Sequence, residues 1–244
     1  MILLLDVGNS RVKAGLRVDG GVRFLGASAY RETGLGAALD GLDLPRADRG
    51  IAAVVGGAEV AAALEAWAEG RRLPLERIWP CAEAAGVRCA YPEPRRLGAD
   101  RWAALVGARA RTAGPCLVVD AGSAITVDAM AAGGRHLGGY ILPGIALMVG
   151  SLWSGTGDLA GFSAASEAAA AGDAFPVDTR PAIEEAALLA AAGLVAEAGR
   201  RVPGEIPPKV FLTGGGAQGL ARLLESAEEV PHLVLEGLAQ LASE

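Results

Sequence analysis

The chain has 244 residues, 52% of them hydrophobic and 5% aromatic, with a formal charge of −6 at pH 7. That length suits one large domain or two smaller ones, with cores built from Ala, Val, Leu and Ile. The negative balance, with no clustered Lys/Arg tract, argues against a nucleic-acid footprint. No basic stretch precedes the first apolar run and Asp6 interrupts it early, so a secretory signal is not expected. Cys81, Cys89 and Cys116 are odd in number and unpatterned, which fits buried thiols in a reducing compartment. His136 and His232 are too few and too isolated for a zinc site. The expected address is the cytoplasm.

Ile2 to Asp6 reads as a strand, Gly8-Asn9-Ser10 as a hairpin turn, and Arg11 to Val18 as a second strand. In that second strand Val12, Ala14 and Leu16 share one face, leaving Lys13 off the core and beside the turn. Val22 to Tyr30 supplies a third strand, Leu35 to Leu42 a helix and Ile51 to Val55 a fourth strand. Glu59 to Glu69 has helical spacing, with Leu64 and Trp67 on one side. Tyr91-Pro92-Glu93-Pro94 marks a loop, and Gly98-Ala99-Asp100-Arg101 leads into a small-residue helix running to about Arg111.

Ala113-Gly114-Pro115 is the best boundary, after which the pattern repeats. A strand at Leu117 to Asp120 turns into strands at Ile125 to Met130 and Leu137 to Ile141. Leu137 to Gly157 carries no charge and could span a bilayer by length, but its glycines and proline predict a strand, a tight loop and a short helix. Arg180 to Arg200 is an Ala-rich helix, Val210 to Thr213 a strand ending in Gly214-Gly215-Gly216, Leu220 to Leu224 the opening of a helix, and Leu235 to Leu241 a closing helix. Two runs of strand hairpins followed by strand–helix units predict a duplicated α/β architecture.

The repeat is sharpest where Leu3-Leu4-Leu5-Asp6-Val7-Gly8-Asn9-Ser10 matches Leu117-Val118-Val119-Asp120-Ala121-Gly122-Ser123-Ala124. Each is a buried strand that delivers a carboxylate to its C-terminal end and then turns. Such an Asp can hold magnesium through water, Gly8 lets a phosphate approach the backbone, Asn9 and Ser10 offer donors, and Lys13 adds a positive charge. An ordinary hairpin has the same turn residues. Asp100 beside Arg101 reads either as a helix cap with a surface arginine or as a hydroxyl-orienting carboxylate with an anion clamp. Asp128 reads as a solvated strand residue or turn partner, Gly214-Gly215-Gly216 as a close-approach loop or a tight connection, and the tryptophans as packing residues.

These segments resemble the type III pantothenate kinases, of the superfamily that includes sugar kinases, acetate kinase, actin and chaperone ATPases. The resemblance rests on Asp6 to Lys13, Gly98-Ala99-Asp100-Arg101-Trp102, Val119 to Asp128, Gly138-Gly139-Tyr140-Ile141-Leu142-Pro143-Gly144, Thr179, Thr213-Gly214-Gly215 and Leu233 to Leu238. It implies duplicated ribonuclease H-like (actin-like ATPase) domains, 1–113 and 114–244, with a cleft between them. The implied activity is ATP-dependent phosphorylation of pantothenate to 4′-phosphopantothenate, the first step of coenzyme A biosynthesis, in a homodimer. A non-catalytic regulatory accessory protein of the same family is the alternative. By the resemblance Asp6, Val7, Gly8, Asn9, Ser10, Arg11, Val12 and Lys13 form the ATP phosphate loop, and Ser123 contacts ATP. Tyr91, Gly98, Ala99, Asp100, Arg101 and Thr179 bind pantothenate, with Asp100 the proton acceptor. Asp120 binds a monovalent cation, K+ or NH4+, and Mg2+ accompanies ATP. Ser10 and Ser123 replace the family's more usual Thr, and Ile51 to Gly57 lacks its Ser-Val strand end.

Overall fold

The computed structural model describes residues 1–19, 21–155, 175–224 and 226–242. The first part of the chain runs β1 (Ile2–Val7), β2 (Arg11–Val18), β3 (Gly21–Ala29), α1 (Leu35–Asp40), β4 (Arg49–Val54), α2 (Gly57–Gly70), β5 (Leu75–Arg77), β6 (Glu83–Ala84), β7 (Val87–Arg88) and α3 (Ala99–Arg111). The remainder is β8 (Cys116–Ala121), β9 (Ala124–Met130), β10 (His136–Pro143), α4 (Ile145–Gly155), α5 (Thr179–Arg201), β11 (Lys209–Thr213), α6 (Ala217–Ala221), β12 (Ala227–Glu229) and α7 (Leu233–Leu241). One compact unit comprises Met1–Cys116, Met130–Gly138 and the stretch beginning at His232; the other comprises Leu117–Ala129 and the described residues between Gly139 and Pro231.

The first unit is built on a sheet of order β3-β2-β1-β4-β5. Central β1 runs antiparallel to β2 and parallel to β4, which is parallel to β5. Leu3, Leu5 and Val7 alternate into a core with Val12, Ala14 and Leu16 of β2, closed by Leu35 and Leu39 of α1 and Leu64 and Trp67 of α2. Leu4 is equally buried, and α7 packs against β1. Cover on both faces is why residues 2–5 read as one continuous apolar run. Helices α3 and α7 meet backbone to backbone: a Cβ on Gly107 would lie 2.5 Å from the Leu233 carbonyl oxygen, and one on Gly237 would overlap the Ala103 carbonyl. Arg111 clamps the same pair of helices through two hydrogen bonds to the Glu236 carboxylate, at 2.7 and 2.8 Å.

The second sheet has the order β10-β9-β8-β11-β12, with β11 and β12 parallel. Counted from its own first strand, it repeats the order of the first sheet: third, second, first, fourth, fifth. The α/β duplication predicted from the repeated strand ends is therefore present in the sheet topology. The Leu137–Gly157 reading holds as far as residue 155, with β10, Gly144 and α4 in succession; Gly157 lies outside the described residues. Among the described residues no helix is long and apolar enough to cross a membrane.

Three expectations need correction. Asp128 is not solvated but 1% exposed, because β9 buries residues on both sides and Val127 and Asp128 are covered in succession. The helix placed at Leu220 to Leu224 runs instead over Ala217–Ala221, starting directly after the glycine loop with Gly216 as its N-cap. Of the cysteines only Cys116 is buried, its thiol pushed up to about 12 by burial, whereas Cys81 is exposed.

Candidate active site

Asp6 is the penultimate residue of β1, and the antiparallel register sets it directly opposite Lys13 of β2. Directly opposed residues share a face, and here Lys13 Nζ lies 3.8 Å from Asp6 Oδ2. The turn between them is fixed from inside and below: Gly8 N–H donates to the Arg11 carbonyl at 3.0 Å, and the Tyr30 hydroxyl donates to the Gly8 carbonyl. Tyr30, the residue after β3, carries no local signal in the sequence, since nothing nearby ties it to a turn 22 residues earlier. A Cβ on Gly8 would meet only the Arg11 carbonyl, at an ordinary 3.5 Å. The protein's own packing therefore does not require a glycine there, and the open backbone leaves room for a ligand to come close.

A second group assembles where α3 begins. Asp100 Oδ1 accepts the Arg101 backbone N–H at 2.7 Å, satisfying one of the orphan donors of the helix start. A side chain on Gly98 would lie 2.5 Å from that same oxygen, so the glycine is what lets Asp100 fold back over the helix start. Arg101 is 7% exposed, and its Nη1 donates to the Tyr91 hydroxyl at 3.3 Å with the guanidinium 5.9 Å from the Tyr91 ring centre. Tyr91 in turn rests against buried His136, ring centres 6.0 Å apart, and His136 Nδ1 accepts the Ala90 backbone N–H at 3.3 Å. His136 thus positions Tyr91, a role hidden in the sequence because its partner lies 46 residues upstream.

In the second unit Asp120 is again penultimate in its strand, half-buried at the end of β8. Two glycines close in on it. A Cβ on Gly214, whose φ is +92°, would strike Asp120 Oδ1 and lie 2.6 Å from the Ala121 carbonyl carbon; Gly216 N–H donates to the Ala121 carbonyl at 2.8 Å. A Cβ on Gly144 would lie 2.6 Å from the Ser123 carbonyl oxygen, to which the Gly144 N–H donates at 3.0 Å. The glycine loop and the Pro143-Gly144 turn are therefore packed onto the Asp120–Ser123 turn. Thr213 Oγ1, one residue before Gly214, is buried and has no hydrogen-bond partner among the described residues. Thr179 stands apart from both groups in the chain, as the half-buried first residue of α5 beside the N-cap Asp178.

The first turn also has a titrating neighbour. His232, just before α7, stacks on Phe24 with ring centres 4.1 Å apart and keeps a buried Nδ1 without a partner among the described residues. Burial first, then the Lys13 charge, hold its pKa below the usual histidine range, with Glu236 opposing. The folded imidazole thus resists protonation more than the unfolded one. Its contribution to stability is complete above the ordinary histidine value of about 6.5 and is lost as pH falls through the depressed folded value. Calorimetric melting between about pH 7.5 and 5.5 is expected to show a steeper loss of Tm in the native chain than in His232→Asn; parallel slopes would dismiss His232 as the cause.

The profile of the type III pantothenate kinases matches residues 2–201. The chain belongs to that family. A type III pantothenate kinase from Azoarcus sp. (strain BH72) is 40% identical over 250 residues, spanning 100% of this chain and 91% of the relative. Another from Nitrosococcus oceani is 37% identical over 256 residues, with 100% and 94% covered. Among solved structures, a Baf family protein from Campylobacter jejuni superposes with a TM-score of 0.64 at 24% identity, covering 99% of this chain and 97% of its own. The ethanolamine utilization protein EutJ from Carboxydothermus hydrogenoformans gives 0.52 at 15% identity, with 98% and 88% covered. Those structures share the fold, the actin-like and sugar-kinase arrangement of duplicated ribonuclease H-like sheets.

Proposed function

We propose that this chain is the kinase its family name describes, transferring the γ-phosphoryl group of ATP to the primary hydroxyl of pantothenate to give 4′-phosphopantothenate, the first step of coenzyme A biosynthesis. The observation that carries the reading is the Tyr91–Arg101–Asp100 group at the start of α3: a buried guanidinium braced on a tyrosine, beside a carboxylate held on the helix end. Pantothenate has a carboxylate for the first and a hydroxyl for the second. Gly98, Ala99 and Thr179 complete the proposed substrate contacts.

Phosphoryl transfer needs positioning and charge neutralisation more than covalent work by the protein. In this mechanism Lys13 and the turn Val7-Gly8-Asn9-Ser10-Arg11-Val12 hold the triphosphate, Arg101 fixes the pantothenate carboxylate, and Asp100 accepts the hydroxyl proton as the oxygen attacks the γ-phosphorus and ADP leaves. Asp6 fits a magnesium ion held through water: it is a carboxylate at a strand end, next to the turn that holds the triphosphate. Magnesium, when bound with ATP, neutralises charge on the β- and γ-phosphates.

Ser123 is the second proposed nucleotide contact. A monovalent cation fits beside Asp120, where the donor set is entirely oxygen and the Thr213 hydroxyl is buried without a partner among the described residues. Such a cation, potassium or ammonium, supplies positive charge without polarising its ligands strongly. A homodimer working in the cytoplasm completes the reading.

The test is an ATP-consumption assay with and without pantothenate, run in potassium and then in a large organic cation. Pantothenate-dependent turnover that falls sharply without potassium is expected. Absence of pantothenate-dependent turnover in any salt would overturn the reading.

A further inference from the structure

The first unit contains a cavity of about 590 Å³ that borders Gly98 and Ala99 but is lined by neither Asp100 nor Arg101. It lies at the ends of β4 and β5, against α2 and the Pro94–Arg96 turn that precedes α3. One wall is apolar, formed by Val54 with Ala58 and Ala61 of α2. The other carries Arg77, Arg95 and Arg96 around Trp79.

The charges on that second wall are not balanced. Arg77 Nη1 pairs with Glu65 Oε1 at 3.0 Å, yet its Nε is buried and has no hydrogen-bond partner among the described residues. Arg95 and Arg96 have no carboxylate partner among the described residues. The Arg77 and Arg95 guanidiniums both stand over the Trp79 ring, 4.9 and 5.4 Å from its centre. Three guanidiniums against the single carboxylate of Glu65 leave two positive charges in one concave site. A solitary surface arginine needs no explanation, but a buried unpaired guanidinium N–H and two like charges gathered on one ring do. Trp79 is 49% exposed, so the expectation that the tryptophans serve only in packing fails at this position.

We propose that this cavity binds a phosphate monoester carrying a short aliphatic chain. A phosphate monoester carries a charge of about −1.5 to −2 near neutral pH, matching the excess, and offers three acceptor oxygens to donors of guanidinium geometry. The apolar wall of Val54, Ala58 and Ala61 takes the chain, which inorganic phosphate lacks. A volume of about 590 Å³ lies within the range of small-ligand pockets. The site does not depend on the kinase reading, and the reaction product is one member of the ligand class.

The experiment is calorimetric titration of the full chain with n-hexyl phosphate, in the presence of saturating pantothenate and a non-hydrolysable ATP analogue. Binding is expected, with at least a tenfold loss of affinity in the Arg95→Gln, Arg96→Gln double variant and no comparable binding of hexanol. The change in tryptophan fluorescence on binding is expected to disappear in Trp79→Phe. Inorganic phosphate is expected to bind more weakly than the hexyl ester. A parallel arm with 4′-phosphopantothenate distinguishes the reaction product from an unrelated phosphomonoester as the source, and saturable, arginine-dependent binding of either supports the site. Undiminished affinity in the double variant, equal binding of hexanol, or complete loss of binding when pantothenate and the analogue are present would overturn it. Pantothenate turnover, measured in the same preparations, reports separately on the kinase reading.

Discussion

Replacing Asp100 by Asn is expected to lower pantothenate turnover by about two to four orders of magnitude, the range usual for loss of a general base. Asparagine is the right probe because of what Asp100 does besides chemistry. Its Oδ1 accepts the Arg101 backbone N–H at 2.7 Å, and an amide oxygen can take over that bond. The helix start, the Gly98 contact and the Arg101–Tyr91 pair therefore persist while the proton acceptor is lost. ATP binding is expected to survive, since no residue of the Asp6–Lys13 turn is altered. Steady-state kinetics together with calorimetric nucleotide titration check both halves. Turnover within a few-fold of the native chain would remove Asp100 from the role.

Gly237→Ala is expected to destabilise the fold by about 3 kcal/mol or more, at the upper end of overpacking costs. For a chain of this length that corresponds to a fall in Tm on the order of 10 °C. Helix propensity alone predicts the opposite sign, because alanine is favoured over glycine by about 1 kcal/mol inside a helix. Packing wins because the new methyl would overlap the Ala103 carbonyl oxygen, lie 2.5 Å from its carbon, and approach Gly107 N within 3.0 Å. These are backbone atoms, which cannot rotate out of the way. Gly193 of α5 is the matched control: a Cβ there meets nothing within 4 Å, so Gly193→Ala is expected to raise Tm by a few degrees. Thermal melting of the two variants side by side tests the contrast, and a stabilised Gly237→Ala would mean that α3 and α7 are not in backbone contact.

The elements that could be read from the sequence are those whose signal is local. Arg11–Val18 was legible to the residue, because alternation and a Gly-Asn-Ser turn coincide. The two Asp-x-Gly strand ends were legible because central strands covered on both faces leave long apolar runs ending in one conspicuous carboxylate. Strands β5, β6, β7 and β12, two or three residues each, are too short to display a period and exist through pairing with distant partners. Asp128 departs from its expected exposure because period-two reasoning assumes one wet face, which β9 lacks at that point. The same limit explains the site. Gly98, Asp100 and Arg101 announce themselves in one short motif, whereas Tyr30 and His136 act across 22 and 46 residues through a carbonyl and an amide N–H. The arginines around Trp79 come from two segments separated by a hairpin, and only folding reveals their shared ring.

The place of α7 has a consequence for how the protein emerges from the ribosome. The chain passes from the first compact unit to the second and back twice, and the helix that packs against β1 and α3 is made after every other described element. Domains commonly fold in the order of their synthesis. Here the earliest-made sheet waits for a late segment: until Leu233–Leu241 clears the exit tunnel, Gly107 faces no partner backbone and Arg111 no Glu236. A nascent chain stalled shortly before His232 would hold every strand of the first unit and still lack the helix that completes it.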